Sequence, residues 1–95
     1  MGRLNTAPDL LNKAAETITE RGQNYDKPEG ERSMQATVTA FNAICRRDLT
    51  EEEGWQFMDC LKSVRAFTGS KMHADSLIDK IAYAALLAES SNKII

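Results

Sequence analysis

A chain of 95 residues, 42% apolar and 27% charged, is one domain of ordinary globular composition; this excludes wholesale disorder, and a longest apolar run of eight residues excludes a membrane-spanning helix. The formal net charge of −2 and a pI near 5.3 exclude a global basic field able to hold a phosphate backbone, so nucleic acid is not an expected partner. A chain of this size buries only roughly 60–65% of its unfolded surface, which leaves a lone monomer marginal and makes self-association an expectation.

The opening Met-Gly-Arg-Leu-Asn-Thr has no apolar signal core, so a cytoplasmic protein is expected. Residues 1–6 read as a flexible N-terminus, 7–90 as a single helical domain and 91–95 as a fraying tail whose Ile94 and Ile95 can dock on a neighbour. Cys45 and Cys60 lie on apolar helical stretches with no further ligand nearby, and the pattern predicts buried free thiols rather than a zinc site or a disulfide.

Thr6-Ala7-Pro8-Asp9 predicts a helix opening with a cap, a first-turn proline and an acid on the dipole. That helix should run to Arg21 and stop at Gly22, burying a stripe of Leu10, Leu11, Ala14, Ala15 and Ile18. Gly22 to Glu31 reads as a loop pinned by Tyr25, and Arg21, Tyr25 and Lys27 together form a candidate ligand-binding lip. A second helix is predicted from Gly30 or Glu31 to Arg46, with Met34, Val38, Phe41, Ile44 and Cys45 on one face. Arg46 and Arg47 suit its C-terminal end.

Thr50 and Glu53 are spaced as a capping box and open a third helix that Thr68-Gly69 should break. The glutamates Glu51, Glu52 and Glu53 complement the helix dipole more cheaply than they ligate a metal. Along this helix Trp55, Phe57, Met58, Leu61, Val64 and Phe67 spread wider than one stripe, which predicts cover from the chain itself on one side and from a partner subunit on another. Asp59, Lys62 and Arg65 follow one another at three-residue steps on the same helix.

The last helix is predicted from Asp75 to Glu89. Between Ile81 and Ala88 it carries no polar group except the Tyr83 hydroxyl, so it should be wrapped by other helices. Asp75, Asp79 and Tyr83, four apart in turn, line one stripe leading into that part. No alternation or hairpin turn predicts a strand. The expected fold is therefore all-α: a small antiparallel bundle of three to four helices, oligomeric through its surplus apolar surface.

One histidine, His73, and no glycine-rich loop leave little room for nucleophilic or phosphate-loop chemistry. What remains is carboxylate chemistry: Asp59, Asp75 and Asp79, joined by Glu16 or Glu20, as candidate magnesium ligands, with Lys62 and Arg65 on a bound ligand's phosphates and Tyr83 as a further candidate ligand-binding residue. The structural alternative is that Asp75 serves the helix dipole and Asp79 pairs with Lys62 to fix helix register.

Several spaced motifs carry a resemblance: Arg21-Gly22-x-x-Tyr25-x-x-Pro28, Leu49-Thr50-x-Glu52, Leu61-Lys62-x-x-Arg65 and Asp75-x-x-x-Asp79-x-x-x-Tyr83-Ala84. Together, over Leu10 to Glu89, they resemble a family of small proteins of tailed phages and prophages, one that brings no function with it. The chain is more distantly similar to the all-α nucleotide pyrophosphohydrolases of the MazG type, which present Glu-x-x-Glu and Glu-x-x-Asp pairs to magnesium and a nucleoside triphosphate. It departs from them, since Glu16 and Glu20 are four apart rather than three, and Ser76 stands where a glutamate would precede Asp79. Small size, acidic balance and surplus apolar helix surface, taken with the phage resemblance, lead to the expectation of a phage accessory protein of a bacterial host cell that binds a host protein or a nucleotide as a homo-oligomer. The alternative, implied by the more distant similarity, is a magnesium-dependent nucleoside triphosphate pyrophosphohydrolase, and the balance of residues leans away from an enzyme.

Overall fold

The structure is a computed structural model that describes residues 6–24, 33–69 and 73–91. The candidate lip residues Tyr25 and Lys27, the expected start of the second helix at Gly30 or Glu31, and the tail residues Ile94 and Ile95 lie outside the described residues.

Thr6 opens α1 (Ala7–Asn24), its hydroxyl oxygen accepting a hydrogen bond from the Asp9 amide at 3.3 Å. The helix passes through Gly22 instead of stopping there. A glycine inside a helix costs only about 1 kcal/mol relative to alanine, and one alone does not end it. On the predicted stripe Ala14 is buried, Leu10 and Ile18 are half-buried, and Leu11 and Ala15 face outward.

α2 (Met34–Cys45) buries Met34 and Val38 and leaves Phe41, Ile44 and Cys45 exposed. Arg46 closes it in the left-handed region (φ 57°, ψ 57°), and the Arg47 amide reaches back to the Asn42 carbonyl at 3.2 Å, the long bond of a Schellman cap. The Asn42 side-chain amide then clasps the backbone of Leu49 on both sides. Its nitrogen donates to the Leu49 carbonyl and its oxygen accepts from the Leu49 amide, each at 2.9 Å, which fixes the connection to the next helix.

α3 (Glu51–Phe67) begins and ends where its sequence predicts. Thr50 Oγ1 accepts from the Glu53 amide at 3.1 Å while the Glu53 carboxylate accepts from the Thr50 amide at 2.9 Å, a complete capping box. Gly69, at φ +101°, turns the chain where a residue with a Cβ would be strained. α4 (Ala74–Ser91) follows and runs two residues beyond the expected Glu89.

α3 and α4 pack antiparallel. Trp55 stacks at a tilt on Tyr83 with ring centres 5.8 Å apart, Asp59 meets Lys80, Lys62 meets Asp79, and the Ala66 carbonyl accepts from the His73 amide, so positions rise along one helix as they fall along the other. α1 packs on α4 and α2 on α3, with no comparable contact between α2 and either α1 or α4. The core is Met34, Val38, Trp55, Tyr83 and Leu86, flanked by Ile18, Met58 and Leu87. Among the described residues there is no strand, and the chain is a small all-α bundle of four helices.

Two expectations about cover are corrected. α4 is not wrapped all round: Ala82, Tyr83 and Leu86 are buried, but Ala84 and Ala85 are exposed, because among the described helices only α1 and α3 lie against it. Both cysteines, expected to be buried, are exposed free thiols, since each sits on a helix face that no other described helix covers. The Cα radius of gyration, 14.6 Å, exceeds the roughly 12 Å of a compact chain of this length, in keeping with helices that share only some of their faces.

Candidate functional site

Asp79 and Tyr83, one turn apart on α4, are the point where three helices meet. From α3, Lys62 Nζ approaches Asp79 Oδ2 at 2.9 Å; from α1, the Arg21 guanidinium donates to Asp79 Oδ1 at 3.2 Å. A second arm of the same guanidinium donates to the Tyr83 hydroxyl at 3.3 Å, and its carbon stands 5.4 Å from the centre of the Tyr83 ring, within cation–π range. Both carboxylate oxygens of Asp79 are thus taken. The side chains of Asp79 and Lys62 are only 17% and 13% exposed, so this is a largely desolvated ion-pair network and not a surface pair.

A second polar contact crosses the same α3–α4 interface. Lys80 Nζ donates to Asp59 Oδ1 at 2.5 Å, and the Ser63 hydroxyl lies 3.5 Å from the same oxygen. Asp59 is buried and this pairing compensates it. Arg21, Lys62 and Lys80 set against Asp59 and Asp79 make three cations to two carboxylates, each cation already committed to an acid.

These placements sort the candidate residues. Arg21, Lys62, Asp79 and Tyr83 converge, and Asp79 with Lys62 is the register-fixing pair the sequence offered as the structural alternative. Asp75, in the first turn of α4, is exposed and apart from them. Among the described residues no three acids, histidines or cysteines stand together in a way that could hold a metal ion, so Asp59, Asp75 and Asp79 are not gathered as one group. Glu16 and Glu20 line an open hollow of α1 with Ala15 and Thr19, without an aspartate. Arg65 is exposed and faces a separate hollow near Leu61, His73 and Ser76. The drift of a three-residue step explains this: each step falls roughly 60° short of a full turn, so two steps carry Arg65 well round the helix from Asp59.

Residues whose contacts the sequence did not announce include Lys80, the partner of Asp59, and Ser76, buried with its hydroxyl 2.7 Å from His73 Nδ1. Gly54 is another. A Cβ there would fall 2.4 Å from Met34 Sδ and 2.8 Å from Val38 Cγ1, so its absence lets α2 lie close on α3. An apolar groove of about 220 Å³ opens beside that crossing, lined by Met34, Val38, Phe41, Leu49, Phe57 and Met58. Two of its lining residues are phenylalanines, and all three phenylalanines of the chain, Phe41, Phe57 and Phe67, are exposed, together with Ile44 and Val64.

A family model described as a domain of unknown function, DUF6378, matches residues 9–91. The chain belongs to the DUF6378 family. The DUF6378 match takes in the Arg21–Asp79–Lys62 junction and all of α2, α3 and the α3 surface, so both the polar clasp and the exposed aromatic face lie inside the family domain. Comparison with curated proteins and with solved structures found no match.

Proposed function

We propose that this DUF6378 protein acts by binding, as a self-associating helical module, and not by turnover. The observation that carries the reading is the exposure of every phenylalanine in a 95-residue chain. Aromatic side chains dominate both cores and interfaces, and a small domain that leaves Phe57 and Phe67 about 70% exposed presents a surface made to be covered. The polar cluster supports the same reading from the other side: Asp79 is held by cations of two neighbouring helices and the buried Asp59 by Lys80 of α4, which suits a clasp between helices. The motif resemblance to small phage proteins supports a cytoplasmic accessory role in which the assembled module engages a host protein.

The test is the molar mass of the purified chain, measured by light scattering on a size-exclusion column at tens of micromolar. A mass that is a multiple of 10.6 kDa supports the reading, and a strict monomer removes its basis. The pyrophosphohydrolase alternative makes an opposite demand, the release of pyrophosphate from a nucleoside triphosphate with magnesium; a full panel without release leaves binding alone.

A further inference from the structure

α3 carries two stripes at heptad spacing on nearly opposite faces. Trp55, Asp59, Lys62 and Ala66, at steps of four, three and four, face inward: Trp55 and Ala66 are buried, and Asp59 and Lys62 are paired with α4. Phe57, Cys60, Val64 and Phe67, at steps of three, four and three, lie roughly 150° around the helix. All four of these are exposed, with Val64 at 63%. This second stripe has the pattern of a coiled-coil seam without its partner helix.

We infer that the seam is covered by α3 of a second copy of this chain, the two helices running antiparallel about a two-fold axis. The inference rests on the proposed self-association and names the surface and the geometry. Three observations carry it. The stripe reads large, small, small, large, so antiparallel pairing about its centre sets Phe57 against Phe67 of the second copy and Cys60 against Val64, and each layer is matched in bulk. The positions that flank such a seam, Gln56, Leu61, Ser63 and Thr68, are all uncharged, so self-pairing brings no like charges together along its length. At the ends, antiparallel packing about that centre sends Glu51, Glu52 and Glu53 of the two copies to opposite ends of the seam. Parallel packing would instead set six glutamates side by side.

The area agrees with a weak to standard dimer. At 69% and 70% exposure, Phe57 and Phe67 offer together roughly 280 Å² of uncovered surface. With Phe41, Val64, Cys60 and the flanks each copy contributes on the order of 500–600 Å², so a pair buries roughly 1,000–1,200 Å², near the threshold for a specific interface. The open alanines of α4, Ala84 and Ala85, offer far less area.

The experiment is sedimentation of the full chain and of two single variants, Val64→Glu in the seam and Ala85→Glu on the open face of α4, with circular dichroism to verify the helices. Val64 is solvent-exposed in the single chain, so the variant keeps its fold. The expected result is a dimer for the unchanged chain and for Ala85→Glu, and a dimer dissociation constant raised at least about 100-fold for Val64→Glu, because each copy then buries an unpaired carboxylate against Cys60 of the other. An oligomer that survives Val64→Glu, or that is broken by Ala85→Glu instead, overturns the seam while self-association stands. A monomer at every concentration overturns both. A third arm uses Cys45→Ser under mild oxidation. Antiparallel pairing holds the two Cys60 Cα atoms roughly 10 Å apart, beyond disulfide reach, so rapid formation of a Cys60–Cys60 cross-link would overturn the antiparallel arrangement.

Discussion

Replacing Asp79 by asparagine keeps the side-chain shape and removes the charge that Lys62 and Arg21 share. Side-chain exposures of 13% for Lys62, 17% for Asp79 and 26% for Arg21 put the network between an exposed pair, worth about 0.2–1 kcal/mol, and a fully buried charge left alone, which costs about 3–5 kcal/mol. Weighting toward the buried limit gives a loss of about 2–3 kcal/mol, a large share of the stability of a domain this small. The midpoint of thermal unfolding should fall by about 10–20 °C. Lys62→Met alone leaves Asp79 with Arg21 and should cost about 1 kcal/mol. In the double variant no ammonium is stranded, so the loss should be smaller than the sum of the two by about 1–2 kcal/mol. Denaturant unfolding of the four proteins gives this cycle directly. The sign is diagnostic: a carboxylate held for a metal or substrate usually stabilises the free protein when removed, whereas a clasp destabilises it. An Asp79→Asn protein as stable as the parent, or more so, would refute the structural role assigned to this junction.

Three further outcomes follow from the geometry. Gly54→Ala gains about 1 kcal/mol of helix propensity, but its methyl meets Val38 and Met34. The net effect should be a loss of about 1 kcal/mol, with hydrogen exchange accelerated in α2 and not in α4. Arg46→Gly relieves a left-handed backbone at the end of α2 and should raise stability by about 0.5–1 kcal/mol in chemical denaturation. Asn42→Ala removes both hydrogen bonds to Leu49 and should cost about 1–2 kcal/mol, read as a lower urea midpoint with unchanged slope.

How far the sequence could be read depended on whether the deciding interaction was local. α3 was legible at both ends because its capping box lies within four residues and its stop is a Thr-Gly pair, neither of which needs a tertiary partner. The overrun of α1 through Gly22 shows the limit of a single glycine as a stop signal. The site was legible in part. Lys62 with Asp79 could be offered as a pair because the two residues lie on the helices flanking one short loop, but Asp59 with Lys80 requires the antiparallel register to be known first. Arg65 was grouped with Asp59 and Lys62 because three-residue spacing looks like one face over a single turn and ceases to be so over two. The two thiols were misplaced for a related reason. Periodicity marks Cys60 as belonging to an apolar stripe with Phe57 and Val64, yet it cannot say whether the same chain covers that stripe. Gly54 and Asn42 act through single contacts with distant side chains or backbone, which no local pattern announces.

The fold therefore divides α3 between two tasks: its inner stripe is fixed to α4 by Trp55, Asp59, Lys62 and Ala66, and its outer stripe is left for a second molecule. The most direct test is the rate at which Cys60 reacts with a soluble thiol reagent as protein concentration is raised, with Cys45, exposed on α2 and outside the stripe, as the internal reference. The account predicts that Cys60 slows progressively with concentration as the seam closes while Cys45 keeps a constant rate. Two thiols that react equally fast at every concentration would contradict it.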